Sequence, residues 1–351
     1  MIRNEKGKFE QEYTLDQYEG LYDDYEEWVD PNADKETTSD RLKAGVRAWL
    51  FWCEENQIDP FEVEENDVRS YIVEGLSKYA DTTLIRRVAT VSKYYHYHLH
   101  DPNSGVEIEE NPTAEINLRR DYDVRQTAEY VRVLSRQGRS DVIALPFEKI
   151  KLIFSEVEGK DPISVRNELI CRLLWQTALR SDELSRIRID NIDFEERDIK
   201  IRSSKLNQED HPKLYHRHVW WEKNLDRLMF KWLETHRSRS SKYAEESPYL
   251  FLTSHSDQMR PTHISRIVKE AAHSAGIQEP LTRKPSGEVK QWLITAHRLR
   301  HSRITQLVNE TDMDLNWVRM MAGHAKIDTT LKYVREDWGL AHDAYRDALE
   351  E

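Results

Sequence analysis

The periodicity of this chain changes character only once, and that limits what it can fold into. In the first half apolar residues recur at helical spacing, as in Leu42, Val46, Trp49, Leu50 and Cys53, and again in Val68, Tyr71, Ile72 and Leu76. Each such stretch carries one apolar stripe to bury. From Ile187 to Phe194, and from Arg197 to Arg202 beyond an acidic turn, apolar and polar residues alternate as in half-buried strands. Residues 215–220 fit a third strand. Helical spacing then resumes near residues 221–235 and over 261–275, 296–308 and 315–321, continuing to the end. The pattern predicts a mainly α, two-domain chain, with a small three-stranded antiparallel sheet inside its second half. There is no internal repeat and no low-complexity tract.

The first half divides further. Residues 1–36 hold 4 Lys/Arg against 12 Asp/Glu and are rich in tyrosine, with a short helix predicted near residues 15–29. Thr37-Thr38-Ser39-Asp40 predicts a helix start. Helices are expected near residues 65–78 and 83–99, and a turn at Asn111-Pro112 leads to a fourth. The helix near 83–99 interleaves Arg86, Arg87 and Lys93 with Tyr94, Tyr95 and Tyr97. That mixture suits a phosphate-facing surface, and equally a solvated face over a tyrosine-rich core. Residues 119–143, with Arg119, Arg120, Arg125, Arg132, Arg136 and Arg139, read as a basic linker. Leu145-Pro146-Phe147 opens the next helix, with proline in the permitted first turn. The parts are therefore an acidic segment 1–36, an all-helical domain 37–118, the linker 119–143, a second domain 144–338 containing the sheet, and a tail 339–351. In the tail Leu340, Ala344, Tyr345 and Leu349 share a helical face, which predicts a short docking helix.

The formal net charge is −12 over 351 residues, a balance that by itself argues against nucleic-acid binding. Its distribution reverses the argument. The acidic ends, 1–36 and 336–351, account for the deficit, and the body between them is near neutral with local basic patches. The two cysteines, Cys53 and Cys171, are far apart. A disulfide framework and a cysteine zinc site are both excluded, and a reducing compartment is implied. His211, His216 and His218 lie close in sequence, but without cysteine partners they suggest no metal site. No apolar run approaches the roughly 18 residues needed to cross a bilayer, and the polar N-terminus does not read as a signal peptide. A soluble, cytoplasmic protein is expected.

Chemistry concentrates between Ala296 and Trp338. The stretch contains His297-Arg298-Leu299-Arg300-His301, then Gly323-His324, then Thr329-Thr330-Leu331-Lys332-Tyr333. His297 and Arg300, three apart, share one helix face. His324 follows a glycine at a helix end, and Tyr333 comes nine residues later, on what reads as the next short helical segment. Two imidazoles, a guanidinium and a phenol can converge there on one phosphate-sized target. Just before the sheet stands Thr177-Ala178-Leu179-Arg180-Ser181-Asp182-Glu183-Leu184. Arg180 with Glu183-Leu184 resembles the R-x-x-E-L box of the tyrosine recombinases, the phage-integrase family. His297-x-x-Arg300, Gly323-His324 and Tyr333 resemble that family's remaining boxes in the right order, including the nine-residue gap. Ala178 stands where glycine is commoner. The resemblance covers residues 145–340, and the helical unit 37–118 is similar in position to the family's core-binding domain.

The resemblance implies a site-specific DNA recombinase or integrase acting on double-stranded DNA through a 3′-phosphotyrosyl intermediate on Tyr333. The residue types suit that chemistry. Arg180 and Arg300 can hold both non-bridging oxygens of a phosphodiester and stabilise a pentacoordinate transition state. A phenol of pKa about 10 is a weak nucleophile at neutral pH, so it needs His297 as proton acceptor and cations nearby. The departing 5′-oxygen needs a proton, for which Lys205 on the sheet's hairpin is the candidate and Lys213 the rival. His324 would hydrogen-bond the phosphate, and Glu183 would orient Arg180 rather than act as a base. These side chains are expected to face a cleft. The phosphotyrosyl bond conserves the phosphodiester energy, so neither metal nor other cofactor is expected. Arg86, Arg87, Lys93, Arg119 and Arg120 are the candidate DNA-binding residues. The expected assembly is a monomer or weak oligomer when free and a homotetramer on two paired DNA sites, associated with the nucleoid. Two other readings stay open: a type IB topoisomerase, which uses similar chemistry, and a catalytically silent DNA-binding relative. The helical domain ahead of Arg180 and the short tail after Tyr333 favour the recombinase, and the intact residue set argues against the silent relative.

Overall fold

The helical spacing of the first third is realised as helices that bury tyrosine and tryptophan faces against one another. The structure, a computed structural model, describes residues 2–3, 9–10, 13–33, 36–101, 104–139, 143–283, 287–335, 342 and 345–346. The chain divides into two units, residues 1–130 with 283–290, and residues 131–282 with 291–351.

In the first unit β1 (Ile2–Arg3) pairs antiparallel with β2 (Phe9–Glu10). There follow α1 (Glu19–Asn32), α2 (Glu36–Asn56), α3 (Glu65–Lys78) and α4 (Asp81–His100). Tyr25, Trp49, Tyr94 and Tyr95 lie fully buried between them. Their rings meet edge to face, Trp49 with Tyr71 at 5.0 Å and Tyr25 with Tyr94 at 5.4 Å, the geometry that ring quadrupoles favour. The Trp49 indole donates to Tyr95, whose hydroxyl donates to the Pro60 carbonyl. α1 begins later than its apolar spacing predicts. The Glu54 carboxylate takes the amides of Gln17 and Tyr18, each at 2.7 Å, and holds the chain ahead of the helix. The Thr37–Asp40 cluster lies in the first turn of α2 as described, from Glu36, and the Ser39 hydroxyl donates to Asp30 of α1. The stretch read as a linker carries α5 (Leu118–Tyr122) and α6 (Thr127–Arg136), and the division between the units falls within α6.

The second unit is built on α7 (Phe147–Val157) and α8 (Pro162–Thr177). Asp161 caps α8 by accepting the amides of Ile163 and Ser164. α9 (Ser181–Ser185) follows, then β3 (Ile192–Asp193), β4 (Asp198–Arg202), α10 (Pro212–Tyr215) and β5 (His216–Trp220). The sheet is antiparallel in the order β3-β4-β5, with Ile199 opposite Val219 and Ile201 opposite Arg217. Most of the alternating stretch 187–194 is not strand. Ile189 donates to the Pro248 carbonyl and the Ile187 carbonyl accepts from Leu250, so the alternation records burial beside residues 248–250 rather than a ladder. The helix expected over 221–235 runs without a gap as α11 (Asp226–Lys231), a π-helical turn at 232–236 and α12 (Arg237–Ser240). The buried Trp232, whose indole donates to the Leu250 carbonyl, begins the π-helical turn. α13 (Pro261–Ser274) precedes a hairpin of β6 (Pro280–Arg283) and β7 (Val289–Trp292) that alternation did not reveal. α14 (Ala296–Asn309), α15 (Leu315–Ala322) and α16 (Asp328–Leu331) complete the unit. α16 stops short of Tyr333, which lies in the following turn and not on a helix. The expected docking helix over 339–351 lies outside the described residues, apart from His342, Tyr345 and Arg346.

Candidate active site

Glu183 lies at the centre of the site. It is fully buried on α9, and its carboxylate accepts the Arg180 amide at 3.0 Å, which starts that short helix. It also accepts from Arg180 Nη1 at 2.9 Å and from both terminal nitrogens of Arg217, at 3.2 and 2.8 Å. Burial pushes this carboxyl toward protonation, but Arg217, Arg180 and Arg300 outweigh it and hold the group down at about 2. A carboxylate so held is no proton acceptor near neutral pH.

Arg217 escaped the reading by motif. In β5, His216, His218 and Trp220 face outward while Arg217 and Val219 face inward. The strand alternation alone therefore placed a charge on a buried face, and that was the available signal. Besides Glu183, Arg217 donates from Nε to the Met321 carbonyl at 2.9 Å. Its guanidinium lies flat against Gly323, where an added Cβ would come within 2.8 Å of Cζ. Gly323 also closes α15 with φ 64°. The Gly-His pair is thus required twice, by a left-handed cap and by a buried arginine.

Arg300, expected to face a cleft, is 2% exposed. From α14 it donates to the Ala178 carbonyl at the end of α8 and to the Ala322 carbonyl at the end of α15, the latter at 2.7 Å. Carbonyls at helix ends lack intrahelical partners, so this arginine satisfies two such ends while remaining in the site. Burial, and then Arg180, lower its affinity for its proton. Arg180, Arg217 and Arg300 together face one buried carboxylate, leaving an excess of positive charge suited to an anion.

His324 is buried between Arg300 and α16. Its Nε2 lies 3.2 Å from Arg300 Nη2, and its Nδ1 lies 3.0 Å from the Thr330 hydroxyl. A guanidinium only donates, so Nε2 must carry the lone pair and Nδ1 the proton, with Thr330 accepting. Burial and the cations Arg300, Arg180 and Arg217 push this imidazole down to about 3. His297 sits at the open rim of α14. Partial desolvation, then Arg300, Arg298, Lys205 and Arg180, lower the pKa of this exposed imidazole. Lys205, in the loop after β4, is among the charges that act on His297, and Lys213 lies on α10. Tyr333 packs its ring against His301 at 4.4 Å and in parallel with His324 at 5.9 Å. Burial raises its phenol's pKa, against the pull of Arg300, Arg180 and Arg298. The structure therefore gathers Arg180, Glu183, Lys205, His297, Arg300, His324 and Tyr333 in one unit, and adds Arg217, His301 and Thr330.

The candidates in the first unit fare differently. Arg86 is exposed on α4. Arg87 is committed to tyrosines, 4.1 Å over the Tyr79 ring and hydrogen-bonded to Tyr71. Lys93 lies 5.8 Å over Trp28. Arg119 and Arg120 are largely exposed and pair with Glu129 and Asp121. Of the three histidines weighed for metal, His218 pairs with Asp198. Among the described residues no group of three or more His, Cys, Asp or Glu side chains could hold a metal ion, and no helix is long and apolar enough to cross a membrane.

Comparison with known proteins agrees with this geometry. The profile of the phage integrase family matches residues 144–338. The chain is 23% identical over 292 residues to the tyrosine recombinase XerD of Listeria innocua serovar 6a, covering 82% of this chain and 83% of that one. It is 29% identical over 195 residues to the tyrosine recombinase XerA of Pyrococcus furiosus, covering 55% and 57%. In fold it is similar to the Tn1549 transposon integrase in complex with transposon right end DNA, with TM-score 0.64 and 16% identity over 94% of this chain and 99% of that one. It is also similar to the XerH site-specific recombinase bound to its difH substrate, with TM-score 0.57 and 17% identity over 88% and 78%. The chain belongs to the phage integrase family and is a site-specific DNA recombinase of the tyrosine type.

Proposed function

We propose that Tyr333 is the nucleophile of this recombinase and that Arg180 and Arg300 clamp the scissile phosphate. The observation that carries the reading is the excess of buried positive charge beside the Tyr333 phenol, three arginines against the single carboxylate of Glu183. A phosphodiester supplies the missing anion. The Tyr333 oxygen attacks phosphorus, the phenol proton passes to His297, and the bond to the 5′-oxygen breaks. Lys205 protonates that oxygen, leaving a 3′-phosphotyrosyl bond and a free 5′-hydroxyl. A 5′-hydroxyl from a second strand reverses the steps and rejoins the DNA. One phosphodiester is exchanged for one phosphotyrosyl bond, so no external energy source enters. His324 hydrogen-bonds the bound phosphate. To do so its Nε2, which accepts from Arg300 in the free protein, must take up a proton as the Arg300 N–H turns to the phosphate.

Double-stranded DNA is the substrate, and the exposed Arg86, Arg119 and Arg120 of the first unit contact its backbone. Exchange between two duplexes cuts four strands, and each chain carries one Tyr333, so the working assembly is a homotetramer on two paired sites. The names of the relatives, tyrosine recombinases and a transposon integrase in complex with DNA, support this reading over the topoisomerase. The test is a supercoiled plasmid carrying two copies of the protein's binding site. Resolution into two circles is expected. Relaxation of plasmids lacking the site would favour the topoisomerase, and binding without strand cleavage the silent relative.

A further inference from the structure

Among the described residues, the backbone that carries Tyr333 is hydrogen-bonded to α14 through the Asn309 side chain, and the Arg335 side chain also lies 3.6 Å from Glu310 just past that helix. Asn309, the last residue of that helix, donates from Nδ2 to the Tyr333 carbonyl at 2.8 Å and accepts the Arg335 amide at Oδ1, also at 2.8 Å. The same Nδ2 donates to the Thr305 carbonyl one turn back, at 2.6 Å. The carboxamide thus forms, with residues 333 and 335, the pair of hydrogen bonds that a neighbouring strand would form. Its other proton anchors it to its own helix. On the preceding side the segment makes turn bonds, from Tyr333 to Thr330 at 3.0 Å and from Val334 to Leu331 at 3.1 Å. α14 also carries His297 and Arg300, and the His301 ring on which the Tyr333 ring rests.

We propose that Asn309 is a positioning residue for strand cleavage. It indexes the Tyr333 backbone to the helix that holds the phosphate, so the phenol and the clamp act within one chain. The proposal rests on Tyr333 being the nucleophile. A single helix sets the distance between attacking group and target, and Asn309 is where that distance is passed to the segment that carries the phenol. The tolerance is small, because a misplacement of about 1 Å can cost about 10²-fold in rate.

The test uses the full chain with Asn309→Leu, which keeps the approximate volume and removes all three side-chain hydrogen bonds, the two to residues 333 and 335 and the one to Thr305. Asn309 ends its helix and is only partly buried, so water can replace its partners. Three quantities are measured: the rate of covalent adduct formation at saturating site DNA, the affinity for that DNA, and the thermal midpoint. The expected result is a rate at least about tenfold lower, with affinity within about twofold and an essentially unchanged midpoint. An unchanged rate would overturn the proposal. So would a loss of rate, affinity and thermal stability together, which would mark Asn309 as a general structural residue. If the wild-type protein forms no adduct on Tyr333, the nucleophile assignment fails and this proposal with it.

Discussion

At the scale of single residues, Arg217 decides how the site holds its charge. It shares Glu183 with Arg180 and grips the turn that presents His324. Removing one partner of a buried ion pair typically costs about 3–5 kcal/mol, because the other charge is left uncompensated. Arg217→Ala should therefore destabilise the protein by an amount of that order in denaturant titration, and Arg217→Lys by less. Arg180→Ala, which leaves the Arg217–Glu183 pair intact, should be milder in stability but cut cleavage by about 10²-fold or more. Lys205→Ala should block cleavage of a normal linkage, while a bridging 5′-thiolate, which departs without a proton, should restore it. Rescue of Lys213→Ala in place of Lys205→Ala would transfer the role. That Arg180, His297, Arg300, His324 and Tyr333 would meet in one unit was legible from short motifs, each local in itself and in a fixed order along the chain. Arg217 was not, since its partner Glu183 lies 34 residues away and no local pattern announces the pair.

At the scale of elements, helix ends build the site. α8 ends at Ala178 with φ 51°, α15 ends at Gly323 with φ 64°, and Arg300 bonds the Ala178 and Ala322 carbonyls at those two ends. Gly323→Ala meets both a left-handed backbone and the Arg217 guanidinium. It should cost about 1–3 kcal/mol in unfolding free energy and slow cleavage through displacement of His324. Helices with one apolar stripe, such as α2, α3, α13 and α14, were readable from periodicity. The interruptions were not, because their causes are tertiary. Trp232, bonded to the Leu250 carbonyl, begins a π-helical turn inside the helix after β5, and residues 187–189 meet 248–250 in one antiparallel bridge between Arg188 and Tyr249 in place of a longer β3. The β6–β7 hairpin is only partly buried on both faces and so left no alternation to read.

At the scale of the molecule, buried neutral histidines tie folding to pH. His98 is 5% exposed among aromatic rings, neither of its ring nitrogens has a partner, and burial pushes it down to about 4. His301 is held at about 4, first by burial and then by neighbouring cations. A histidine whose pKa is lowered by folding contributes stability fully above its unfolded value of about 6.5 and loses it as pH falls toward the folded value. Denaturant titrations should show stability declining between pH 6.5 and 4, with His98 alone accounting for at most about 3 kcal/mol. His98→Phe should flatten that slope. The Glu183 contribution is lost later, as pH falls from 4.5 toward 2. The two-unit organisation was readable from the helical spacing of residues 37–118 and the three-stranded sheet inside the second half. The position of the boundary was not, since α6 spans it. The central claim concerns the covalent bond, and mass mapping of the adduct trapped on a nicked site substrate tests it most directly. The account predicts a nucleotide attached to Tyr333 through a 3′-phosphate, and no adduct with Tyr333→Phe despite normal DNA binding. An adduct on another residue, or one that persists in Tyr333→Phe, would contradict it.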